Sequence, residues 1–117
     1  MTEHQTQNLI LRYLSACDRL RVWRQNTGVA RFKDRTVRFG VPGQADISGL
    51  VFPSGRRLEI EVKTKTGRQS DAQRNYAEMI RQMGGLYILA RCVEDVYTAL
   101  RNNFPDTYWP TLSEAGL

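Results

Sequence analysis

The sequence is poor in the residues that build disulfide scaffolds and soft-metal centres: two cysteines, Cys17 and Cys92, and one histidine, His4. The cysteines stand apart, without the paired spacing of a zinc site or the density of a disulfide framework, and both read as buried free thiols. His4 has no local partner pattern and reads as a surface residue rather than a general base. No window approaches the roughly 18 consecutive apolar residues of a membrane span, and the opening Met-Thr-Glu-His-Gln lacks the basic-then-apolar layout of a secretory signal. A soluble, cytoplasmic protein with no membrane partner is therefore expected. Internal repeats and low-complexity tracts are absent as well, which sets solenoids and arrays aside.

Acidic residues are the minority, 12 against 17 Lys and Arg, for a net charge of +5 and a pI near 9.6. The excess is arginine, whose planar guanidinium suits bidentate phosphate contacts, so a polyanionic partner is expected. The chain has 117 residues, of which 41% are hydrophobic and 25% charged. That is ordinary globular composition and a length for one domain, 1–117, around one core.

Thr2 is placed to cap a helix over 3 to about 18, with Leu9, Ile10, Tyr13, Leu14 and Cys17 at helical spacing and Glu3 on the face of Ile10 and Leu14. Residues 20–26 alternate as a strand that Thr27-Gly28 ends. From Val29 to Phe39, Arg31, Lys33, Arg35 and Arg38 interleave with Phe32 and Phe39. This reads as a basic loop or ribbon suited to a phosphate backbone. Further on, Ser70 and Gln73 have capping-box spacing at the start of a helix over 71–83 with Tyr76, Met79, Ile80 and Met83 as its stripe. Gly84-Gly85 stops it, Leu86–Ala90 reads as a buried strand, and 93–103 as a final helix. The tail from Phe104, with its Tyr-Trp pair, reads as an irregular segment packed on the body or as an interface.

The stretch Gly40–Lys63 carries the chemistry. Residues 45–52 and 57–63 flank Pro53-Ser54-Gly55 as a hairpin. Centring its turn between Ser54 and Gly55 pairs Ile47 with Val62 and Val51 with Leu58, and gathers Ile47, Val51, Leu58, Ile60 and Val62 on one face. The same parity leaves Asp46, Glu61 and Lys63 together on the other face, at the end away from the turn, with Asp46 opposite Lys63. Glu59 shares that face and reads as a surface or ion-pairing residue. Adjacent acids repel unless positive charge offsets them. Lys63 supplies one such charge, and Mg²⁺, which uses one or two carboxylates plus water and phosphate oxygens, would supply more. Asp46 and Glu61 are the candidate ligands, joined by the backbone carbonyl of Val62. Lys63 would orient or deprotonate an attacking water or neutralise developing charge.

GVPGQAD (40–46), LEIEVK (58–63), GRQSDAQ (67–73) and GGLYILAR (84–91), in that order, resemble the virus-type replication-repair nuclease (VRR-NUC) domain, a branch of the PD-(D/E)xK nuclease superfamily. The resemblance implies an α/β fold with a restriction-endonuclease-like αβββαβ core, a mixed central sheet flanked by helices, and Mg²⁺- or Mn²⁺-dependent DNA hydrolysis. It matches the motif acids to Asp46 and Glu61, the lysine to Lys63 and the helix glutamine to Gln73. It offers Glu3 as an additional metal-binding acid. Glu3 equally suits the helix dipole, and Gln73 equally suits the cap of Ser70. Stand-alone domains of this kind resemble Holliday-junction resolvases, which implies a homodimer acting on branched or structured DNA. Lys65, Arg68 and Arg74 join the ribbon cations as candidate DNA contacts. The alternative is a DNA-binding module that keeps the fold without turnover.

Overall fold

A computed structural model describes residues 1–25 and 28–117. In chain order the elements are α1 (Glu3–Ser15), β1 (Leu20–Arg24), β2 (Gly28–Arg31), β3 (Thr36–Phe39), β4 (Ile47–Val51), β5 (Arg56–Val62), α2 (Asp71–Gln82), β6 (Leu86–Ala90) and α3 (Val93–Asn103). The fold is mixed α/β with three helices and a mixed four-stranded sheet, ordered β1-β4-β5-β6. The first three of these strands are antiparallel neighbours, and β6 runs parallel to β5 after the α2 crossover. The expected strand end at Asn26 and stop at Thr27 lie outside the described residues. No described helix is long and apolar enough to cross a membrane.

One face of the sheet carries Ile47, Val51, Leu58, Ile60 and Val62, all buried, with Ile88 and Ala90 from β6. Against them pack Ile10, Tyr13 and Leu14 of α1, Val96 and Leu100 of α3, and Trp109 of the tail. Each such side chain contributes about 1.5–3 kcal/mol when removed from water, so the parity of the β4–β5 hairpin is fixed as the sequence suggests. The tail packs on the body through Trp109 and through the Tyr13 hydroxyl, which donates to the Pro110 carbonyl at 2.7 Å.

The hairpin register differs from the expected one by two residues. Ile47 stands opposite Ile60 and Val51 opposite Arg56, so continuation of the ladder puts Asp46 opposite Glu61 rather than Lys63. Gly55 is the cause. It adopts a φ of +74° and closes a four-residue loop by donating its N–H to the Val51 carbonyl at 2.8 Å. The left-handed residue therefore ends the loop instead of sitting at its centre.

The opposite face is also covered. Tyr76, Ala77 and Ile80 of α2 pack with Ala45 and Tyr87 as a second cluster over it. Ser48, Glu59 and Glu61 are consequently buried polar residues, and of the two readings of Glu59 it is the ion-pairing one that holds, its Oε2 lying 3.5 Å from Arg57 Nε. Cys17 is buried, but Cys92 is exposed at the start of α3, which corrects the reading of both thiols as buried.

Strands β2 and β3 form a separate two-stranded ribbon, which resolves the loop-or-ribbon question. Cross-strand partners share a face and successive residues alternate. Val29, Arg31, Thr36 and Arg38 therefore lie on one side, with Ala30, Val37 and Phe39 on the other.

Candidate active site

The turn at residues 41–44 sets the position of the first acid. The Gln44 N–H donates to the Val41 carbonyl at 3.0 Å, and the Val41 N–H to Gln44 Oε1 at 3.2 Å. Gly43 has a φ of +75°, and a Cβ there would stand 2.1 Å from the Ala72 carbonyl oxygen. The turn thus lies directly on the first turn of α2, and only glycine fits. Asp46 emerges from it half-buried, its carbonyl accepting the Gln25 N–H at 2.9 Å and its Oδ2 accepting the Val62 N–H at 2.8 Å. In a strand a residue's N–H and C=O point to the same side, so the Val62 carbonyl faces the Asp46 side as well.

Glu61 lies alongside at the end of β5, 3% exposed. Its Oε1 accepts Gln73 Nε2 at 2.9 Å and lies 3.9 Å from Lys63 Nζ. Its Oε2 is buried and has no hydrogen-bond partner among the described residues. Gln73 also accepts the Ser70 N–H on its Oε1 at 2.9 Å, while Ser70 Oγ accepts the Gln73 N–H at 3.2 Å. The capping box and the contact to Glu61 therefore coexist. The sequence posed them as alternatives, but the two ends of one amide serve both.

The electrostatics show a site short of positive charge. Burial pushes the Glu61 carboxyl up to about 8, and the neighbouring Asp46 charge adds to this against the pull of Lys63. Burial likewise raises Asp46, opposed by the Val62 N–H. The charge of Glu3 raises both carboxyls further. Glu3 itself is an exposed first-turn residue of α1. No group of three His, Cys, Asp or Glu side chains among the described residues is arranged to hold a metal, so Glu3 is brought into the field of the two acids but not into a cluster with them.

The candidate DNA contacts are all exposed: Arg31, Lys33, Arg35 and Arg38 on the ribbon, Lys65 and Arg68 on the 63–70 connection, and Arg74 on α2. They are not equally free. Arg74 bonds Asp71 and the Gln69 carbonyl, and the Arg35 guanidinium lies over Phe32 at 5.6 Å. His4 is exposed beside Asn8.

Sequence reasoning missed two supports. Arg91 Nη1 donates to the carbonyls of Thr64 and Gly67, and to that of Lys65 at 3.2 Å, and so holds the connection that follows Lys63. Gln69 Nε2 donates to the Tyr87 hydroxyl at 2.9 Å. Only the Arg91 at the end of GGLYILAR offered a signal, a cation just past a strand that runs parallel to β5. No protein-family model matches the chain, and no curated protein matches it.

Proposed function

We propose that the chain is a Mg²⁺- or Mn²⁺-dependent DNA endonuclease with a restriction-endonuclease-like core, of the VRR-NUC type, acting on branched or structured DNA. One observation carries the reading. Asp46 and Glu61 converge at one end of the sheet, tied respectively to the Val62 N–H and to Gln73, with Lys63 beside them and Glu61 Oε2 left without a partner. Two buried acids side by side cannot both ionise without added positive charge, and a hard cation fits the deficit, because one or two carboxylates completed by water and phosphate oxygens are what Mg²⁺ uses.

Asp46, Glu61 and the Val62 carbonyl would hold the cation, with Glu3 as an outer contributor. When bound, it supplies positive charge against that developing on a phosphodiester. Gln73 fixes the rotamer of Glu61, and the Val62 N–H fixes that of Asp46. Lys63, anchored near Glu61, is placed to orient a water or to neutralise charge on the scissile phosphate. The ribbon cations and the Lys65–Arg68 connection supply backbone contacts that position DNA without reading its sequence.

Cutting both strands of a junction needs two sites and one domain supplies one, so the active form is proposed as a homodimer. Light scattering that finds only monomer, with and without a junction, rejects the dimer. Incubation of branched, flapped and linear DNA with Mg²⁺ or Mn²⁺ tests the activity. Wild type is expected to cut, and Asp46→Ala and Lys63→Ala to lose at least 100-fold (order of magnitude, from about 2.7–4 kcal/mol for one stabilising group). Absence of metal-dependent cleavage of every substrate, with binding retained in both variants, would favour a non-catalytic DNA-binding module instead.

A further inference from the structure

Trp23 and Arg57 occupy the α2 face of the sheet, Trp23 one row and Arg57 two rows from the two acids. Trp23, on the edge strand β1, stands opposite Ser48, which stands opposite Glu59. Asp46 and Glu61 form the next row toward the open end of the hairpin. Strand spacing of about 4.8 Å and a rise of about 3.4 Å per residue put the Trp23 Cα about 8 Å from that of Asp46, within reach of a nucleotide adjoining a phosphate held at the acids.

Arg57 reaches from β5 across β4 and sets its guanidinium 5.6 Å from the centre of the Trp23 ring. It is anchored from beneath. Its Nε lies 3.5 Å from Oε2 of the fully buried Glu59, whose Oε1 accepts the Tyr76 hydroxyl. Arg57 Nε is itself buried and makes no hydrogen bond, yet the side chain as a whole is 40% exposed, so the outer guanidinium nitrogens present donors to solvent. Trp23 is 39% exposed. A half-exposed indole with a fixed guanidinium over one of its faces offers a stacking surface for a base and donors for a phosphate.

We propose that Trp23 and Arg57 form a subsite for an unpaired nucleotide next to the scissile phosphate. The base stacks on the indole–guanidinium pair and the Arg57 donors take the adjoining phosphate. The inference rests on the nuclease reading and narrows its substrate. A base inside continuous duplex has both faces covered by its neighbours, so the subsite selects DNA with an unpaired nucleotide beside the cut.

The test measures binding in Ca²⁺ of fluorescein-labelled ten-residue oligothymidylate and of a blunt duplex of the same length. Trp23→Ala is expected to weaken oligothymidylate binding about 5- to 150-fold, the range of one lost base stack, and duplex binding less than about twofold, since a paired base does not reach the indole. Trp23→Phe is expected to restore most of the loss. Equal losses on both DNAs, as expected if Trp23 only shields the Arg57–Glu59 pair, overturn the subsite. Quenching of wild-type emission needs no variant: Trp109 is buried, so bound oligothymidylate that leaves the emission unchanged also overturns it. Cleavage in Mg²⁺ separates the two claims. Wild type that cuts, with a Trp23→Ala variant showing the same preference for unpaired nucleotides, removes the subsite and leaves the nuclease. Quenching by oligothymidylate without any cleavage removes the nuclease and leaves the subsite.

Discussion

Gln73 holds Ser70 and Glu61 with opposite ends of one amide, each at 2.9 Å. The cap fixes which end faces which group. Oε1 must meet the Ser70 N–H, so Nε2 is left to meet the carboxylate. The start of α2 and the orientation of Glu61 are therefore one device, and Gly43, pressed on the same turn of α2, ties the loop that delivers Asp46 into it.

Two substitutions separate the cap from the site. Ser70→Ala removes the Oγ acceptor but leaves Gln73 Nε2 on Glu61, whereas Gln73→Ala removes both contacts. Each is expected to cost about 1 kcal/mol of stability, the usual worth of an N-cap, measured by urea denaturation. Only Gln73→Ala is expected to lower the cleavage rate by 10-fold or more (order of magnitude, from about 1.5–3 kcal/mol for a hydrogen bond to a charged group). Equal loss of activity in the two variants would show that Gln73 acts through the helix alone.

The raised carboxyls predict a pH dependence of stability in the metal-free protein. The folded state keeps a proton on Glu61 up to about 8, while the unfolded chain releases it near 4.5. The group's stabilisation is thus fully present below about pH 4.5, falls as pH rises through this window and levels off above about 8. Asp46 adds with the same sign. Urea midpoints in EDTA are expected to fall between pH 5 and 8, and Glu61→Gln to flatten the fall. Added Mg²⁺ is expected to stabilise more at pH 8 than at pH 5, since a cation binds the deprotonated acids. An unaltered slope in Glu61→Gln would place the titration elsewhere.

The strand parity that brings Asp46 and Glu61 together was legible because five aliphatic side chains define the buried face. The register was not, since pairing shifted by two residues keeps the same parity, and only the backbone of Gly55 selects between them. Burial of the second face was hidden by its own residues. Charge at Glu59 and Glu61 gave no sign of a covering helix, yet Tyr76 and Gln73 come down from α2 to meet Glu59 and Glu61 respectively. The bounds of β6 and α3 were clear because Gly84-Gly85 and the change of period mark them. Trp23 and Arg57 were not, because they meet across an intervening strand that no local spacing records.

Gly43 and Gly55 offer a matched comparison, with φ of +75° and +74°. Substitution by alanine forces both into a left-handed conformation at about 1–2 kcal/mol. At Gly55 nothing lies within 4 Å of the new Cβ, but at Gly43 it meets the Ala72 carbonyl at 2.1 Å. Gly43→Ala is therefore expected to be the more destabilising by urea denaturation. It should also lose cleavage activity, because relief of the clash moves the first turn of α2, and Gln73 with it. Equal costs at the two positions would mean that the turn yields without disturbing the helix.

The ribbon predicts a change in salt dependence rather than in specificity. Arg31 and Arg38 lie on the same ribbon face, and both are exposed. If each neutralises one phosphate, the double substitution Arg31→Ala/Arg38→Ala lowers the slope of log K against log salt on duplex DNA by about 0.9 per contact. It should weaken linear and branched DNA alike, because backbone contacts carry no sequence or shape code of their own. Arg74→Ala is expected to change the slope less, since its guanidinium is already engaged by Asp71 and the Gln69 carbonyl. Anisotropy titrations across salt concentrations measure all three. An unchanged slope in the double variant would remove the ribbon from the DNA interface and shift that role to Lys65 and Arg68, beside the site.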